Sequence, residues 1–173
     1  MPKHAGNGYE FAATVTVSAT MPLVLEWLTA PEKMPKWVLG LKMVETEALV
    51  EHGLTAYVRL DFGQGNKSPG TFCGEVLRVN EQTVEKHYWK AGSFDSYERS
   101  IRYDLRALDG ATEVTCHVRT VIAGLGRGVS EIAAQVELSS LRRSLNRLRA
   151  QIEGQHENFF KRFRDGSQSC QPL

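Results

Sequence analysis

The chain reads as an α+β domain in which a curved antiparallel sheet wraps around one long C-terminal helix, with two short helices after the first strand. Three observations predict it. Residues 9–18 alternate apolar and polar, the period of a half-buried strand. From Leu41 to about Ala123 strand patterns and turn residues succeed one another without a helical stretch. Apolar residues then recur at three- and four-residue steps from Val129 to Ile152, the period of an amphipathic helix.

The first strand places Phe11, Ala13, Val15 and Val17 on one face and Glu10, Thr14, Thr16 and Ser18 on the other. Thr20 can cap the helix that follows, and Pro22 is tolerated in its first turn. Leu23, Val24, Trp27 and Leu28 make its apolar face. Ala30-Pro31 ends it, since a residue before proline avoids helical angles. A second short turn is expected from Pro31 to Trp37.

In the middle of the chain, Leu54, Ala56, Val58, Leu60 and Phe62 alternate with Thr55, Tyr57, Arg59 and Asp61, which turns Tyr57 away from the apolar face. Gly63-Gln64-Gly65-Asn66 and Ser68-Pro69-Gly70 are turn material. Strands follow at 71–79 and Thr83–Lys90, joined by Asn80-Glu81-Gln82, and Ala91-Gly92-Ser93 turns again. Tyr97, Ile101, Tyr103 and Leu105 mark a long strand, and Asp109-Gly110 is a hairpin signal. Val114, Cys116, Val118, Thr120 and Ile122 share a face of the last strand.

The helix predicted over 129–152 uses Val129, Ile132, Val136, Leu141, Leu145, Leu148 and Ile152, with one five-residue skip. At ~1.5 Å per residue it spans roughly 35 Å. A ten-residue strand spans about as much, so one helix can cover the concave face of the sheet. A sheet curled around one helix is hard to fill at its open end, and a cavity there suits an apolar ligand.

The 173 residues suit one domain with a sizeable core. The expected limits are a flexible 1–8, a single domain over 9–164 and a disordered tail over 165–173. The formal net charge of +1 gives no overall bias toward nucleic acid or a membrane surface. Met1 to Gly8 lacks the apolar core of a signal peptide, and no run is long enough to span a bilayer, so a cytoplasmic location is the default. Cys73, Cys116 and Cys170 are odd in number and well separated, as reduced thiols would be. His4, His52, His87, His117 and His156 show no paired ligand spacing and there is no Cys-x-x-Cys, so neither metal nor cofactor is expected.

The run Phe11 to Ala19, then Val24-Leu25-Glu26-Trp27-Leu28, then the proline-rich turn Pro31-Glu32-Lys33-Met34-Pro35-Lys36-Trp37, together with a six-strand middle and a terminal helix, resembles the START/Bet v 1-like (SRPBCC) superfamily. The likeness is to its polyketide cyclase/dehydrase-like branch and covers about residues 9–153. One departure is the turn between the second and third strands. The family often has a glycine-rich turn there, and this chain has only Glu51-His52-Gly53. The resemblance implies a helix-grip fold with an internal cavity. Members carry lipids, hormones or quinones, or cyclise polyketides, and fold alone does not choose among these.

Arg99 shares strand parity with Tyr97, Ile101, Tyr103 and Leu105, so it points inward if they do. It could anchor an acid or enolate oxygen, or it could fray to solvent at a strand end. His87 and Trp89 share one face of 83–90, Lys86 and Tyr88 the other, and neither face is cleanly apolar. An inward His87 could act as a general base or polar hook. The plainer reading is a surface His87 opposite an inward Tyr88. Met34 and Trp37 could line a gate or simply plug the core. The expected lining is therefore Met34, Trp37, Tyr97, Arg99, Ile101 and Tyr103 with Val136 and Leu141 from the helix, and His87 and Trp89 if that face turns in.

Gly124 to Gly128 lacks the spacing of a dinucleotide fingerprint and reads as a hinge or gate. Arg142, Arg143, Arg147, Arg149, Lys161, Arg162 and Arg164 make a basic end, and Glu131 and Glu137 near the helix start suit the helix dipole. Phe159, Phe160 and Phe163 could lengthen the helix, pack on a second subunit as a homodimer, or touch a membrane surface without inserting stably.

Three functions fit. The preferred one is non-catalytic binding or carriage of an apolar lipid-, quinone- or polyketide-like molecule. The second is a cyclase or dehydratase in which Arg99 holds an enolate and Tyr103 or His87 moves protons. The third is protein interaction through the basic, aromatic C-terminus.

Overall fold

In the computed structural model, residues 8–48, 54–61, 71–90, 93–122 and 127–166 are described. The expected turns at 51–53, 63–70 and 91–92, most of the glycine-rich segment at 124–128, and residues 1–7 and 167–173 lie outside them. Seven strands form one antiparallel sheet: β1 (Gly8–Val17), β2 (Met43–Ala48), β3 (Leu54–Asp61), β4 (Thr71–Arg78), β5 (Thr83–Lys90), β6 (Ser93–Leu108) and β7 (Ala111–Ile122). Their order is β1-β7-β6-β5-β4-β3-β2, so the first two strands stand at opposite edges. Helix α1 (Met21–Thr29), a 3₁₀ turn (Pro31–Lys33) and α2 (Met34–Trp37) carry the chain from one edge to the other. Helix α3 (Arg127–Gly166) follows the last strand.

The first strand buries Phe11, Val15 and Val17, as its alternation requires. Val24, Leu25, Trp27 and Leu28 are the buried side of α1. Thr20 takes the extended N-cap backbone, but its side chain makes no capping hydrogen bond, and Pro22 sits in the first turn. Gly110 has φ 69° in the β6–β7 hairpin, a conformation that favours glycine over residues with a Cβ. Gly74 pairs with Tyr88 across β4 and β5, and a Cβ at Gly74 would run into the Tyr88 ring. Glycine here lets that ring lie across the sheet.

The helix departs from expectation in phase and length. Val129, Ile132 and Val136 are 57%, 69% and 61% exposed, so Val136 does not face the sheet. The side that does is Ser130, Ala134, Leu141, Ser144, Leu145, Leu148 and Ile152, all buried. The five-residue skip from Val136 to Leu141 marks the break, because five residues advance a helix by roughly 140° beyond one full turn. The valines and isoleucine before it therefore point away from the face that the leucines after it bury. The helix continues to Gly166, well past residue 152, and takes in residues 165 and 166 of the expected tail. The side chains of 155–166, including Phe159, Phe160 and Phe163, lie outside the described set.

Besides the contacts of Glu137 described below, three polar contacts among the described residues fasten α3 to the rest. Ser18 N–H donates to Glu153 (2.9 Å), Leu39 N–H donates to Ser144 Oγ (2.9 Å), and Arg147 donates to the Lys36 carbonyl (3.3 Å). Leu145 sits between them and is fully buried. Leu145→Asp should abolish cooperative thermal unfolding, since it places an unpaired carboxylate in an apolar contact. An unchanged melting temperature would show that this face is not the core.

Candidate functional site

Packing of α3 and α2 against the sheet leaves a cavity of about 170 Å³. Strand parity builds its walls. On β6 the alternate residues Tyr97, Arg99, Ile101 and Tyr103 line it. On β5 the lining residues are Lys86 and Tyr88. Leu60 and Phe72 contribute from the neighbouring strands, Met34, Trp37, Val38 and Leu39 from α2 and the segment after it, and Glu137, Ser140, Leu141 and Ser144 from α3. The body of the wall is apolar and aromatic. Trp37 meets Tyr103 edge-on at 6.3 Å, and Phe72 lies against Tyr97 at 5.1 Å.

The structure brings together most of the residues singled out from the sequence: Met34, Trp37, Tyr97, Arg99, Ile101, Tyr103 and Leu141. Met34 and Trp37 are almost wholly buried, so they form wall rather than an exposed gate. Three others fall away. Val136 is on the solvent side of α3. His87 and Trp89 alternate with Lys86 and Tyr88 and so lie on the outer face of β5. The His87 side chain is 38% exposed, with Nε2 3.7 Å from a Glu85 carboxylate oxygen. A proton-moving role for His87 inside the cavity is therefore excluded by parity. Tyr57 is in β3, and its side chain lies outside the described set.

Arg99 does point inward, but it has a partner that sequence reasoning assigned elsewhere. Its Nη1 donates to Glu137 Oε2 at 2.7 Å, and Tyr9 Oη donates to Glu137 Oε1 at 2.7 Å. Glu137 was expected to serve the helix dipole; instead it reaches the sheet. The two side chains are 21% and 26% exposed. Burial works against the Arg99 charge, yet the Glu137 carboxylate, with Tyr97 and Tyr9, outweighs it and raises the guanidinium pKa above its ordinary value. Arg99 is thus neutralised in place and is not the free positive charge of the cavity.

Lys86 has that position; the sequence pairs it with Tyr88 on one face of 83–90 but gives it no role in the site. It is 1% exposed, and its Nζ finds no hydrogen-bond partner among the described residues. The Nζ lies over the rings of Trp37 (5.2 Å) and Tyr103 (5.4 Å). Cation–π contact of this kind contributes roughly 2 kcal/mol when desolvated. That is small against the cost of burying an ammonium without a counter-ion. Desolvation wins, and the pKa falls from 10.5 to about 7, with Cys116 opposing the fall. The Tyr88 Oη and Trp37 Nε1 are likewise buried without a partner among the described residues. Burial holds Tyr88 and Tyr103 well above the ordinary phenol pKa, so both stay protonated. It also lifts the Cys116 thiol to about 12. Among the described residues no cluster of His, Cys, Asp and Glu could hold a metal ion.

A seven-stranded antiparallel sheet with one long helix against it has counterparts among solved structures. The chain is similar to a START superfamily protein from Mycobacterium smegmatis (20% identity, TM-score 0.65, 83% of this chain and 98% of that one). It is also similar to the Zhui aromatase/cyclase from Streptomyces sp. R1128 (17%, 0.68, 83% and 93%). A third likeness is to the di-domain ARO/CYC StfQ from the steffimycin biosynthetic pathway (10%, 0.69), where 86% of this chain spans 51% of the other. The fold is that of the START superfamily. No family model and no curated protein matches the chain. In this START-like fold the long helix and the curved sheet enclose the cavity, as the helix-grip expectation held. No helix among the described residues is long and apolar enough to cross a membrane.

The pH dependence of stability follows from Lys86. Between pH 7 and 10.5 the unfolded chain keeps a proton on this amine that the folded chain has released, so stability rises with pH. Above about 9 the Cys116 thiol acts oppositely, because it ionises only in the unfolded chain. The window that reports Lys86 is therefore pH 7 to 9, with a slope approaching ~1.4 kcal/mol per pH unit. Lys86→Met should be the more stable protein at pH 6–7, and its advantage should shrink steadily toward pH 9 in denaturant titrations. A pH-independent difference would contradict a buried, unpaired amine.

Proposed function

We propose that the chain binds an apolar small molecule bearing an oxygen acceptor in the cavity between α3 and the sheet. The observation that carries this reading is the set of three orphaned donors, Trp37 Nε1, Lys86 Nζ and Tyr88 Oη, on residues lining one largely apolar space. Buried polar groups in folded proteins are almost always paired, and an unpaired one costs about 1–3 kcal/mol. A ligand oxygen placed among these donors would relieve that cost. Met34, Leu60, Phe72, Ile101 and Leu141 would hold its apolar body.

Size narrows the ligand. A cavity of ~150 Å³ lined by apolar side chains accommodates benzene, so the 170 Å³ found here suits roughly one substituted ring. A lipid-, quinone- or polyketide-sized molecule, for which pockets of ~300–1,000 Å³ are usual, requires α3 or α2 to yield. Binding or carriage accounts for the site better than cyclisation by Arg99, Tyr103 and His87. Glu137 already engages Arg99, His87 is outside, and Tyr103 is held protonated.

Benzyl alcohol and ethylbenzene have nearly the same shape and differ by an oxygen in place of a methyl group. Both should bind by calorimetry, and Leu141→Trp, which fills the cavity, should abolish both. Lys86→Met should lower the affinity for benzyl alcohol relative to ethylbenzene by about five- to tenfold, the worth of one hydrogen bond of ~1–1.5 kcal/mol. Binding of neither molecule, or binding untouched by Leu141→Trp, would remove the cavity as the site.

A further inference from the structure

Resting on that reading, we propose that Lys86 is a covalent capture site for aldehydes or ketones, its Nζ condensing with the ligand carbonyl to an imine. Three features of the site support it. The amine is buried in the cavity wall without a hydrogen-bond partner, so no carboxylate among the described residues holds it as an ammonium. Lys33, by contrast, is paired with Glu26 at the surface. Around Lys86 Nζ lie the Trp37 and Tyr103 rings and, acting through its field, the Cys116 thiol, which burial keeps protonated. Tyr88 stands two residues along the same face of β5, with Cα atoms roughly 7 Å apart. Its unpartnered hydroxyl is a donor for the carbonyl oxygen.

The chemistry balances without a further reactant. The neutral amine adds through its lone pair to the carbonyl carbon, and one N–H proton passes to the oxygen to give a carbinolamine. The C–O bond then breaks. The hydroxyl leaves with the second nitrogen proton as one water, and a C=N bond remains. No electrons are gained or lost. About half of the amine is neutral at pH 7 if its pKa is about 7, whereas an ordinary surface lysine, with a pKa of ~10.4, is almost wholly protonated. The apolar walls favour the same outcome, since condensation releases water from the site and replaces an amine by a less polar group. A ligand carbonyl would thus be held by a bond that water can later reverse, which suits capture and release as well as activation of the carbon beside it.

Benzaldehyde with sodium cyanoborohydride at pH 7 tests this, because reduction fixes any imine as a benzyl amine. Intact mass and peptide mapping should show one benzyl group on Lys86, at least tenfold faster than on Lys33, Lys36 or Lys42. Excess benzyl alcohol, which lacks the carbonyl, should suppress the labelling, and so should Leu141→Trp. Lys86→Met should lose the fast label while still binding ethylbenzene, which shows that its cavity is intact. If benzyl alcohol binds but Lys86 is labelled no faster than the surface lysines, covalent capture is wrong and the binding reading stands. If neither benzyl alcohol nor ethylbenzene binds and Lys86 is unlabelled, both readings fall.

Discussion

Glu137 receives hydrogen bonds from β1 and β6 at once, through Tyr9 and Arg99, and this fixes both the position and the rotation of α3. With Glu137 turned to the sheet, Ser130, Ala134, Leu141, Ser144, Leu145, Leu148 and Ile152 turn with it and are buried. Val129, Ile132 and Val136 must then face outward. Small residues at 130 and 134 let the helix come close to β1. Below Glu137 the leucines fill the concave face, and beside it the cavity remains. Removing one partner of a buried ion pair typically costs ~3–5 kcal/mol. The partial exposure of this one lowers that figure, but the contact still decides which face of the helix lines the cavity.

The same pair sets the electrostatics. An inward arginine already joined to a glutamate is electrically quiet, and the unpaired Lys86 becomes the group whose charge state can change near neutral pH. The two cations differ in what their surroundings supply. Arg99 has a carboxylate at 2.7 Å, and Lys86 has two ring faces at more than 5 Å. A carboxylate contact outweighs desolvation; ring faces do not. Positive charge therefore stays on Arg99 and is easily lost from Lys86.

Much of the fold was legible because its signals are local. The alternation of Phe11 to Val17, the Asp109-Gly110 hairpin, and the parity of Tyr97 to Leu105 each need only a few neighbouring residues to be read. The resemblance carried the topology, and the similarity to START structures agrees with it. What the sequence hid depends on distant contacts. In 83–90 both faces mix polar and aromatic residues, so parity was available but not direction. The cue lay outside that strand: Gly74, opposite Tyr88, makes room for an inward ring, and Tyr88 brings Lys86 in with it. The role of Glu137 was hidden for a like reason. Its partners are 128 and 38 residues away in sequence, and a charged residue near a helix start has an ordinary explanation close at hand. The phase error at Val136 had a visible sign, the five-residue skip, which is also where Glu137 lies.

The cavity holds a lysine amine with no ionic partner among the described residues. Site-resolved NMR titration, with ¹³C-labelled lysine and Lys86→Met to assign the signal, reads this directly. The Lys86 Cε resonance should titrate near pH 7, apart from the other lysines. Benzyl alcohol, by accepting a hydrogen bond from the ammonium, should move that midpoint upward. A Lys86 signal that titrates with the surface lysines, near the ordinary ~10.4, would contradict it.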